Sequence, residues 1–334
     1  MSDIYTTREF FNELGRYVPE QARVLFCQFR GDPNEDIQGK WRARVYRDPE
    51  YMDALANLYV CVSAMQRNAH GEFRRRKENF AGGLCLMIDD LGTGLGAKQP
   101  MDTIDKLLPS ALIETSPENY QAVYLLDKLE ADEQKFDALI RAFVQNCLLS
   151  PQNSGMDGIN RVFRPPFGIN GKPKYLREGK PWTVRFAAWQ PDRRYSVEQI
   201  AEAFKLDLVR ENRIRRATEY LIDVEPDRRA AFLATYRVLK SCSMLKREEP
   251  NRSGWIDIIC PWREGHTDRA DNGASIRVPD PENEYYGAFR CHHGHCEGKG
   301  WRDLTDWLAN ESAELIEWIN EDTTEFEKLV WRKS

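Results

Sequence analysis

Two adjacent carboxylates, Asp89 and Asp90, follow a short apolar run in residues 81–94, AGGLCLMIDDLGTG. Apolar runs of this length bounded by glycine are typical of a buried strand, which predicts that both acids lie where a strand ends. Two carboxylates held together are costly unless a cation shares the site, and Mg²⁺ or Mn²⁺ bound through oxygen is the obvious candidate. The same sequence is also typical of a turn that only ends a strand, so this segment alone leaves both interpretations open.

Cationic side chains occur on either side of this segment in the sequence. The run FRRRKEN at 73–79 comes directly before the acidic strand and is either a solvated loop or a phosphate-binding one. The loop-rich stretch 155–174 combines prolines with an acid, an amide and several cations. Its candidate residues are Asp157, Arg161, Arg164, Asn170 and Lys172. Because prolines restrict the backbone, the two arginines suit fixed, bidentate recognition of phosphate.

Soft metal ligands cluster near the C-terminal end of the sequence. Cys260, His266, Cys291 and Cys296 form a C-x₅-H…C-x₄-C arrangement. His292, His293 or His295 could replace one of these ligands. Thiolate and imidazole select Zn²⁺, and four such ligands close a tetrahedral structural site. A redox or fortuitous Cys/His group is the alternative.

The elements that must position these residues predict an α+β fold with a mixed or antiparallel sheet. Strand patterns at 22–30, 41–46 and 53–65 follow one another with no helix between them. Two further strand patterns flank a Ser-Pro-Glu-Asn turn, which is typical of a hairpin. Helical patterns occupy 6–14 and 133–149, then 196–204, 212–221, 228–240 and 301–308. The change of texture predicts three parts: a catalytic domain at 1–192, a helical connector at 193–250 and a zinc-binding module at 251–334.

Composition restricts the class of protein. A chain of 334 residues with 41% hydrophobic and 11% aromatic content can build more than one core. The net charge of −5 excludes a globally basic nucleic-acid coat but not a local basic patch. No run of 18 apolar residues occurs, the first residues are too polar for a secretory signal, and the other cysteines are scattered. We therefore expect a cytoplasmic protein with reduced thiols and no membrane partner.

Taken in order, these segments resemble the primases of phage and plasmid replication in the archaeo-eukaryotic primase superfamily, the RepB-like primase-polymerases. That family places metal-binding acids at the end of one strand, which Asp89 and Asp90 match. Its second strand carries a Ser-x-His-like element facing the nucleotide; TSPENYQ is similar, with Ser116, and with Gln121 where histidine is expected. Asp157 matches the family's third acid, and the ending CPW…H…GAFRCHHGHC…WRDL is similar to zinc-binding tails of phage primases.

The resemblance implies a DNA-dependent primase, with or without primer-extending polymerase activity, working by two-metal nucleotidyl transfer. Two Mg²⁺ or Mn²⁺ ions would lie on the three aspartates, and Ser116 and Gln121 would contact an incoming NTP or dNTP. Arg161, Arg164, Asn170 and Lys172 would bind its phosphates. The zinc module would bind single-stranded DNA template, helped by Trp262 and Tyr286, and a replicative helicase would be a partner.

The sequence departs from the family pattern in two places. The family commonly spaces its first two acids one residue apart, whereas Asp89 and Asp90 are adjacent, so only one points inward unless the strand ends or bulges between them. Glutamine for histidine also removes a titratable group at position 121. A catalytically silent, zinc-containing DNA-binding replication protein is therefore the alternative, and a metal-dependent nuclease is a weaker one.

Overall fold

The computed structural model describes residues 4–35, 39–149, 158–222, 228–269, 272–279 and 288–321. Asp157 and Tyr286 lie outside the described residues. The chain divides into two compact units, Met1–Leu208 and Val209–Ser334. Among the described residues, no helix combines the length and the apolar character needed to cross a membrane.

The first unit is built on one large sheet, in which eleven strands are described. Its helices are α1 (Ile4–Leu14), α2 (Glu133–Gln145) and α3 (Val197–Phe204). Its strands are β1 (Ala22–Phe29), β2 (Arg44–Val45), β3 (Asn57–Gln66), β4 (Phe80–Gly92), β5 (Ala111–Ser116), β6 (Asn119–Glu130), β7 (Val162–Phe163), β8 (Ile169–Asn170), β9 (Trp182–Thr183), β10 (Arg185–Trp189) and β11 (Arg194–Tyr195).

The sheet is mixed and mainly antiparallel, which confirms the predicted α+β class. Its main path runs β10-β5-β6-β4-β3-β1-β2, with every neighbouring pair antiparallel. Only the pairs β11–β6 and β3–β8 are parallel within the described part of this sheet. The predicted hairpin is confirmed as β5–β6, and the predicted strand at 41–46 is reduced to β2.

Apolar residues at helical spacing attach α2 to the sheet. Phe136, Leu139, Ile140 and Phe143 are fully or almost fully buried and belong to the main core with the strands. Burial of each such side chain contributes about 1.5–3 kcal/mol. The helix begins where the Asp132 side chain accepts a hydrogen bond from the Lys135 backbone N–H. This packing fixes the strand that carries the candidate acids.

The short strand β7 lies beside β3 at the acidic end of the sheet. β3 pairs with β4 only through residues 63–65, and it pairs with β7 through Val60 and Cys61. The main core takes Val60, whereas Cys61 faces a smaller cluster on the other side of the strand. The segment that follows β7 therefore enters the sheet close to the end of β4.

The second unit joins helices and a small sheet in one core. Its helices are α4 (Leu208–Ile222), α5 (Arg228–Ser241) and α6 (Trp301–Glu321), and its strands are β12 (Trp255–Asp257), β13 (Ala274–Arg277) and β14 (Ala288–Cys291). The strands form an antiparallel sheet in this order. Ile214 of α4, Leu239 of α5, Ile276 of β13 and Leu304 of α6 share the core.

The predicted boundaries at 192 and 250 differ from the division into compact units. Of the three helices predicted for a connector, α3 belongs to the first unit, and α4 and α5 belong almost entirely to the second. Burial explains the difference, because α3 packs in the core of the first unit and α4 and α5 pack in that of the second. A separate connector domain stays a prediction from the sequence.

Candidate active site and metal centre

A β-bulge in β4 brings the two adjacent acids together. Ile88 pairs with Ala122 and Leu91 pairs with Tyr120, so three steps along β4 correspond to two along β6. Asp90 takes up the extra residue with φ 55°, a left-handed conformation that aspartate tolerates better than most residues. Adjacent residues of a regular strand point to opposite faces, and the bulge removes this restriction, so both carboxylates can serve one site.

Asp89 is partly buried and held from two sides. Its Oδ1 accepts hydrogen bonds from Nε2 of Gln121 (2.9 Å) and from the Asp90 backbone N–H (2.9 Å). Burial, and then the charge of Asp90, raise the pKa of Asp89 above that of an ordinary aspartate. Its Oδ2 accepts no hydrogen bond from any residue that the structure describes. The carboxylate is thus oriented, with one oxygen available to a ligand.

Asp90 has a cationic neighbour that the sequence analysis missed. The Lys98 ammonium lies 2.9 Å from the Asp90 carboxylate and is more than half exposed. The backbone N–H groups of Lys98 and Gln99 donate to the Asp90 carbonyl oxygen at 2.7 and 3.1 Å. Hydrogen bonding to Asp90 raises the pKa of Lys98. The glycine-rich turn after β4 was the available signal, because a chain reversal there returns the following residues to the acids.

Gln121 connects the acids to the loop after β7. While its Nε2 donates to Asp89, its Oε1 accepts the Arg164 backbone N–H at 3.1 Å. These two bonds fix which end of the amide faces the acid. Gln121 therefore links Asp89 to this loop, and its predicted contact with a nucleotide stays a prediction.

The turn between β5 and β6 contains Ser116 and Asn119. Ser116 Oγ and Asn119 Oδ1 are buried without a hydrogen-bond partner among the described residues. Pro117 and Glu118, the latter with φ 57°, form the two central positions of the turn. Polar atoms buried in this way are exceptional in proteins, and a ligand is one explanation for them.

Arg164 uses its guanidinium group inside the protein. Its terminal nitrogens donate to the Ile169 carbonyl (2.8 Å), the Tyr59 hydroxyl (2.6 Å), Asn170 Oδ1 (3.0 Å) and Asn57 Oδ1 (3.3 Å). The guanidinium also lies 4.4 Å from the centre of the Tyr59 ring. Arg164 is 5% exposed, and burial lowers its pKa. The geometry supports a role in positioning the loop more than a direct fork onto a phosphate.

Arg161 and Lys172 place further positive charge near the acids. Arg161 is buried, and its charge partly offsets the raised pKa of Asp89. Burial, followed by repulsion from Arg164, lowers the pKa of Lys172, while attraction to Asp89 acts in the opposite direction. Asn170 Oδ1 accepts the Lys172 backbone N–H at 3.3 Å, and its Nδ2 donates to the Thr115 carbonyl at 2.8 Å. The structure thus brings all the described candidates of the first unit around the end of β4.

Asn57 and Tyr59 of β3 are site residues that sequence reasoning missed. Asn57 is fully buried and bonds the backbone on both sides of the site, accepting from Gly171 N–H and donating to the Gly31 carbonyl, both at 2.8 Å. No signal in the sequence distinguishes these residues, because they lie in a strand whose other residues are mainly apolar.

The basic run at 73–79 begins far from the acids along β4, and of its cations Arg75 reaches the Asn160 carbonyl, at 3.4 Å, beside Arg161. It precedes Phe80, the first residue of β4, and Asp89 follows about 30 Å along that strand at the usual rise per residue. Three of its cations form ion pairs, Arg74 with Glu72, Arg76 with Glu78 and Lys77 with Glu133. Its position and pairing favour the solvated-loop interpretation.

In the second unit, the predicted zinc ligands converge. The ligand atoms of Cys260, His266, Cys291 and Cys296 all lie within 4.8 Å of one another. Sγ of Cys260 is 3.7 Å from Sγ of Cys296, and Nε2 of His266 is 3.2 Å from Sγ of Cys296 and 3.6 Å from Sγ of Cys291. Usual zinc–ligand lengths predict tetrahedral edges of about 3.8 Å between sulfurs and about 3.6 Å between sulfur and nitrogen. The group therefore fits a tetrahedral zinc ion.

The other histidines are less suited to this centre. His292 and His295 are exposed. The His293 ring stacks on that of His266 with the centroids 3.8 Å apart, and its Nδ1 lies 3.3 Å from Sγ of Cys291. Burial raises the pKa of the Cys260 and Cys296 thiols, so cation binding there would release protons. Among the predicted histidines, the geometry favours His266 as the fourth ligand.

Comparison with known proteins identifies the family. The model of the RepB DNA-primase N-terminal domain matches residues 32–211, more than half of the chain. The chain therefore belongs to the RepB DNA-primase family, which confirms the resemblance inferred from its segments. No curated protein matches the sequence.

Solved structures of primases resemble the chain at low sequence identity. The AEP domain of the cyanophage S-2L primase-polymerase is 12% identical, over 60% of this chain and 97% of that one, with a TM-score of 0.42. Primase RepB′ is 15% identical, over 71% of this chain and 74% of that one, with a TM-score of 0.39. The catalytic domain of RepB′ in complex with initiator DNA is 16% identical, over 58% and 92%, with a TM-score of 0.35.

Proposed function

We propose that this protein is a DNA-dependent primase, with or without primer-extending polymerase activity, in phage or plasmid replication. It joins NTPs or dNTPs on a single-stranded DNA template, and a replicative helicase is its expected partner. Membership of the RepB DNA-primase family supports the reaction class. The bulge that brings Asp89 and Asp90 to one site, surrounded by basic side chains, is the observation that carries the proposal.

The charges around the acids suit an anionic substrate. Two described carboxylates face four cationic side chains, those of Lys98, Arg161, Arg164 and Lys172. The excess of positive charge attracts a triphosphate, because the cationic side chains offset its negative charge. In this proposal Arg161 and Lys172 face the phosphates, and Arg164 positions the loop that carries Asn170 and Lys172.

The acids fit a hard divalent cation, because both are carboxylates and one oxygen of Asp89 has no donor among the described residues. When bound by Asp89, Asp90 and Asp157, Mg²⁺ or Mn²⁺ would neutralise the triphosphate and favour ionisation of the attacking 3′-hydroxyl. Gln121 keeps the Asp89 carboxylate in place, and Ser116 offers a hydroxyl to the incoming nucleotide.

The test is primer synthesis on single-stranded DNA with labelled NTPs or dNTPs and Mg²⁺ or Mn²⁺. Wild type should give products only with a divalent cation. Asp89→Ala and Asp157→Ala should each lower the rate by about 10²–10³-fold, because each removes a charge that faces the cation. Asp127→Ala, which changes an exposed carboxylate of β6, is the matched control and should leave the rate unchanged.

Equal primer synthesis by wild type and by both acid variants would show that the catalytic assignment is wrong. A wild-type chain that binds DNA but forms no product under any of these conditions would instead favour the catalytically silent replication protein.

A further inference from the structure

The small sheet of the second unit has one face in the core and one face outside it. Ile256, Ile276 and Phe289 are buried in the core. The alternate residues Trp255, Asp257, Ser275, Arg277 and Arg290 lie on the opposite face. In the register, Trp255 pairs with Arg277, and Ser275 pairs with Arg290.

On this outer face, Arg290 is held flat against an aromatic ring. Its guanidinium carbon lies 3.8 Å from the centre of the Trp255 ring, a separation at which the planar group contacts the ring face. Its Nε donates to Oγ of the buried Ser275 at 3.2 Å. Trp255 covers part of the guanidinium, and Arg290 as a residue is nevertheless exposed, so the group is accessible to a ligand.

The five residues named on this face include two cations and one acid. The acid, Asp257, forms an ion pair with Arg247 at 3.0 Å. Arg277 and Arg290 are the two cations. A fixed guanidinium plane beside a second arginine offers a stacking surface and phosphate contacts together, which is the combination that single-stranded nucleic acids use. A nucleic-acid duplex keeps its bases stacked inside and offers none to the arginine. An acidic protein would pair with the positive charges but would not use the guanidinium plane as a stacking surface.

We propose that the outer face formed by Trp255, Arg277 and Arg290 binds single-stranded nucleic acid, with one base stacked on the guanidinium plane of Arg290. The inference rests on the proposed primase function, whose template role for the zinc module it makes specific. It adds to the stacking residues predicted from the sequence, of which Tyr286 lies outside the described residues. Trp262 packs edge-to-face on Phe289, with ring centres 5.6 Å apart, and lies under the Lys299 ammonium.

Lysine at position 290 separates stacking from charge. The zinc-loaded full chain is titrated against a fluorescein-labelled oligothymidylate of about 20 nucleotides, and binding is followed by fluorescence anisotropy. Arg290→Lys keeps the charge but loses the plane, so the affinity should fall about tenfold while its dependence on salt stays the same. Arg290→Gln should lower the affinity as well and also reduce the salt dependence, because it removes one phosphate-binding cation.

The matched control is Arg302→Lys, at an exposed arginine of α6, which should bind like wild type. Zinc content and melting temperature check that each variant is folded. Equal affinity of wild type and Arg290→Lys overturns the proposal.

Primer synthesis on the same preparations separates this result from failure of the primase assignment. Arg290-dependent binding by a chain that makes no primer refutes only the primase assignment. Primer synthesis by wild type, together with unchanged binding by Arg290→Lys, refutes only the stacking face.

Discussion

Asp89 carries a charge in surroundings that disfavour it. Burial and the neighbouring Asp90 raise its pKa, so the stability that protonated Asp89 contributes is fully present below the pKa of the unfolded chain. That contribution is lost as pH rises through the higher pKa of the folded state. At neutral pH the ionised carboxylate therefore lowers the stability of the metal-free protein, as is common where stability gives way to function.

Asp89→Asn should remove this destabilisation. The amide oxygen can still accept from Gln121, so we expect the metal-free variant to melt at a higher temperature than wild type at pH 8 and the difference to shrink at about pH 4. Mn²⁺ should raise the melting temperature of wild type and have much less effect on the variant, since the ligand charge is gone. Thermal melting with and without Mn²⁺ at both pH values is the measurement. A variant that melts below wild type at pH 8 contradicts the origin given for the raised pKa.

The acids could be predicted from residue type and position, whereas their partners could not. Asp89 and Asp90 stand out as paired charges after an apolar run. Lys98, Asn57 and Tyr59 reach the site only through the chain reversal after β4 and the packing of β3. The glycine-rich turn was a local signal for Lys98, whereas the packing of β3 is a long-range event about which a local pattern contains no information.

At the scale of elements, the acidic end of β4 depends on close contact with the β5–β6 turn. The backbone N–H groups of Thr93 and Gly94 donate to the Glu118 carbonyl at 3.1 and 2.9 Å. A Cβ added at Gly92 would overlap that same oxygen, and Gly92 has φ 119°. Only glycine gives both the conformation and the space required here.

Gly92→Ala should therefore disturb both the acids and the Ser116–Asn119 turn. Gly71→Ala is the matched control, because Gly71 also has a positive φ of 76° but a Cβ there meets no atom within 4 Å. We expect Gly71→Ala to lower the free energy of unfolding by about 1 kcal/mol and Gly92→Ala by at least about twice as much. Only Gly92→Ala should raise the nucleotide KM. Equal losses of stability, measured by chemical denaturation, would show that the contact with Glu118 is not tight.

Strands and helices were predictable where one period dominates. The patterns of α1, β1, α2 and the β5–β6 hairpin are confirmed. The bulge in β4 could be stated only as a condition, because two adjacent aspartates do not reveal which of them leaves the ladder. Only Val184 separates β9 from β10, and its backbone N–H bonds the Gly168 carbonyl, a contact between distant segments that no local pattern predicts.

For the whole molecule, each compact unit has a main core of its own, from which we expect one unfolding transition for each unit. No hydrophobic side chain belongs to both cores in the described part of the chain. The sequence predicted a change of texture after residue 192, whereas the division into compact units follows from which core buries α3, α4 and α5. That is a property of tertiary packing, which helical periodicity alone does not determine.

Cys291→Ser tests the zinc centre and the independence of the units together. About one zinc ion per chain should copurify with wild type, and the variant should lose it, since serine replaces a thiolate ligand. Calorimetry should then show the second unit unfolding at a lower temperature while the transition of the first unit is unchanged. His292→Ala, at an exposed histidine outside the four residues whose ligand atoms converge, should keep both zinc and stability. Wild-type protein that contains no zinc, or a Cys291→Ser variant with unaltered unfolding transitions, would show that zinc does not stabilise the second unit.

The ion pair between Lys98 and Asp90 has a consequence for loading of the proposed metal site. The Lys98 ammonium already balances the charge of the Asp90 carboxylate, so a divalent cation must displace it in order to bind. The backbone N–H groups of Lys98 and Gln99 stay bonded to the Asp90 carbonyl, so the exchange needs only an exposed side chain to swing into water. Metal binding is then an exchange of the lysine ammonium for a divalent ion. The affinity for the metal therefore reflects the difference between the two cations.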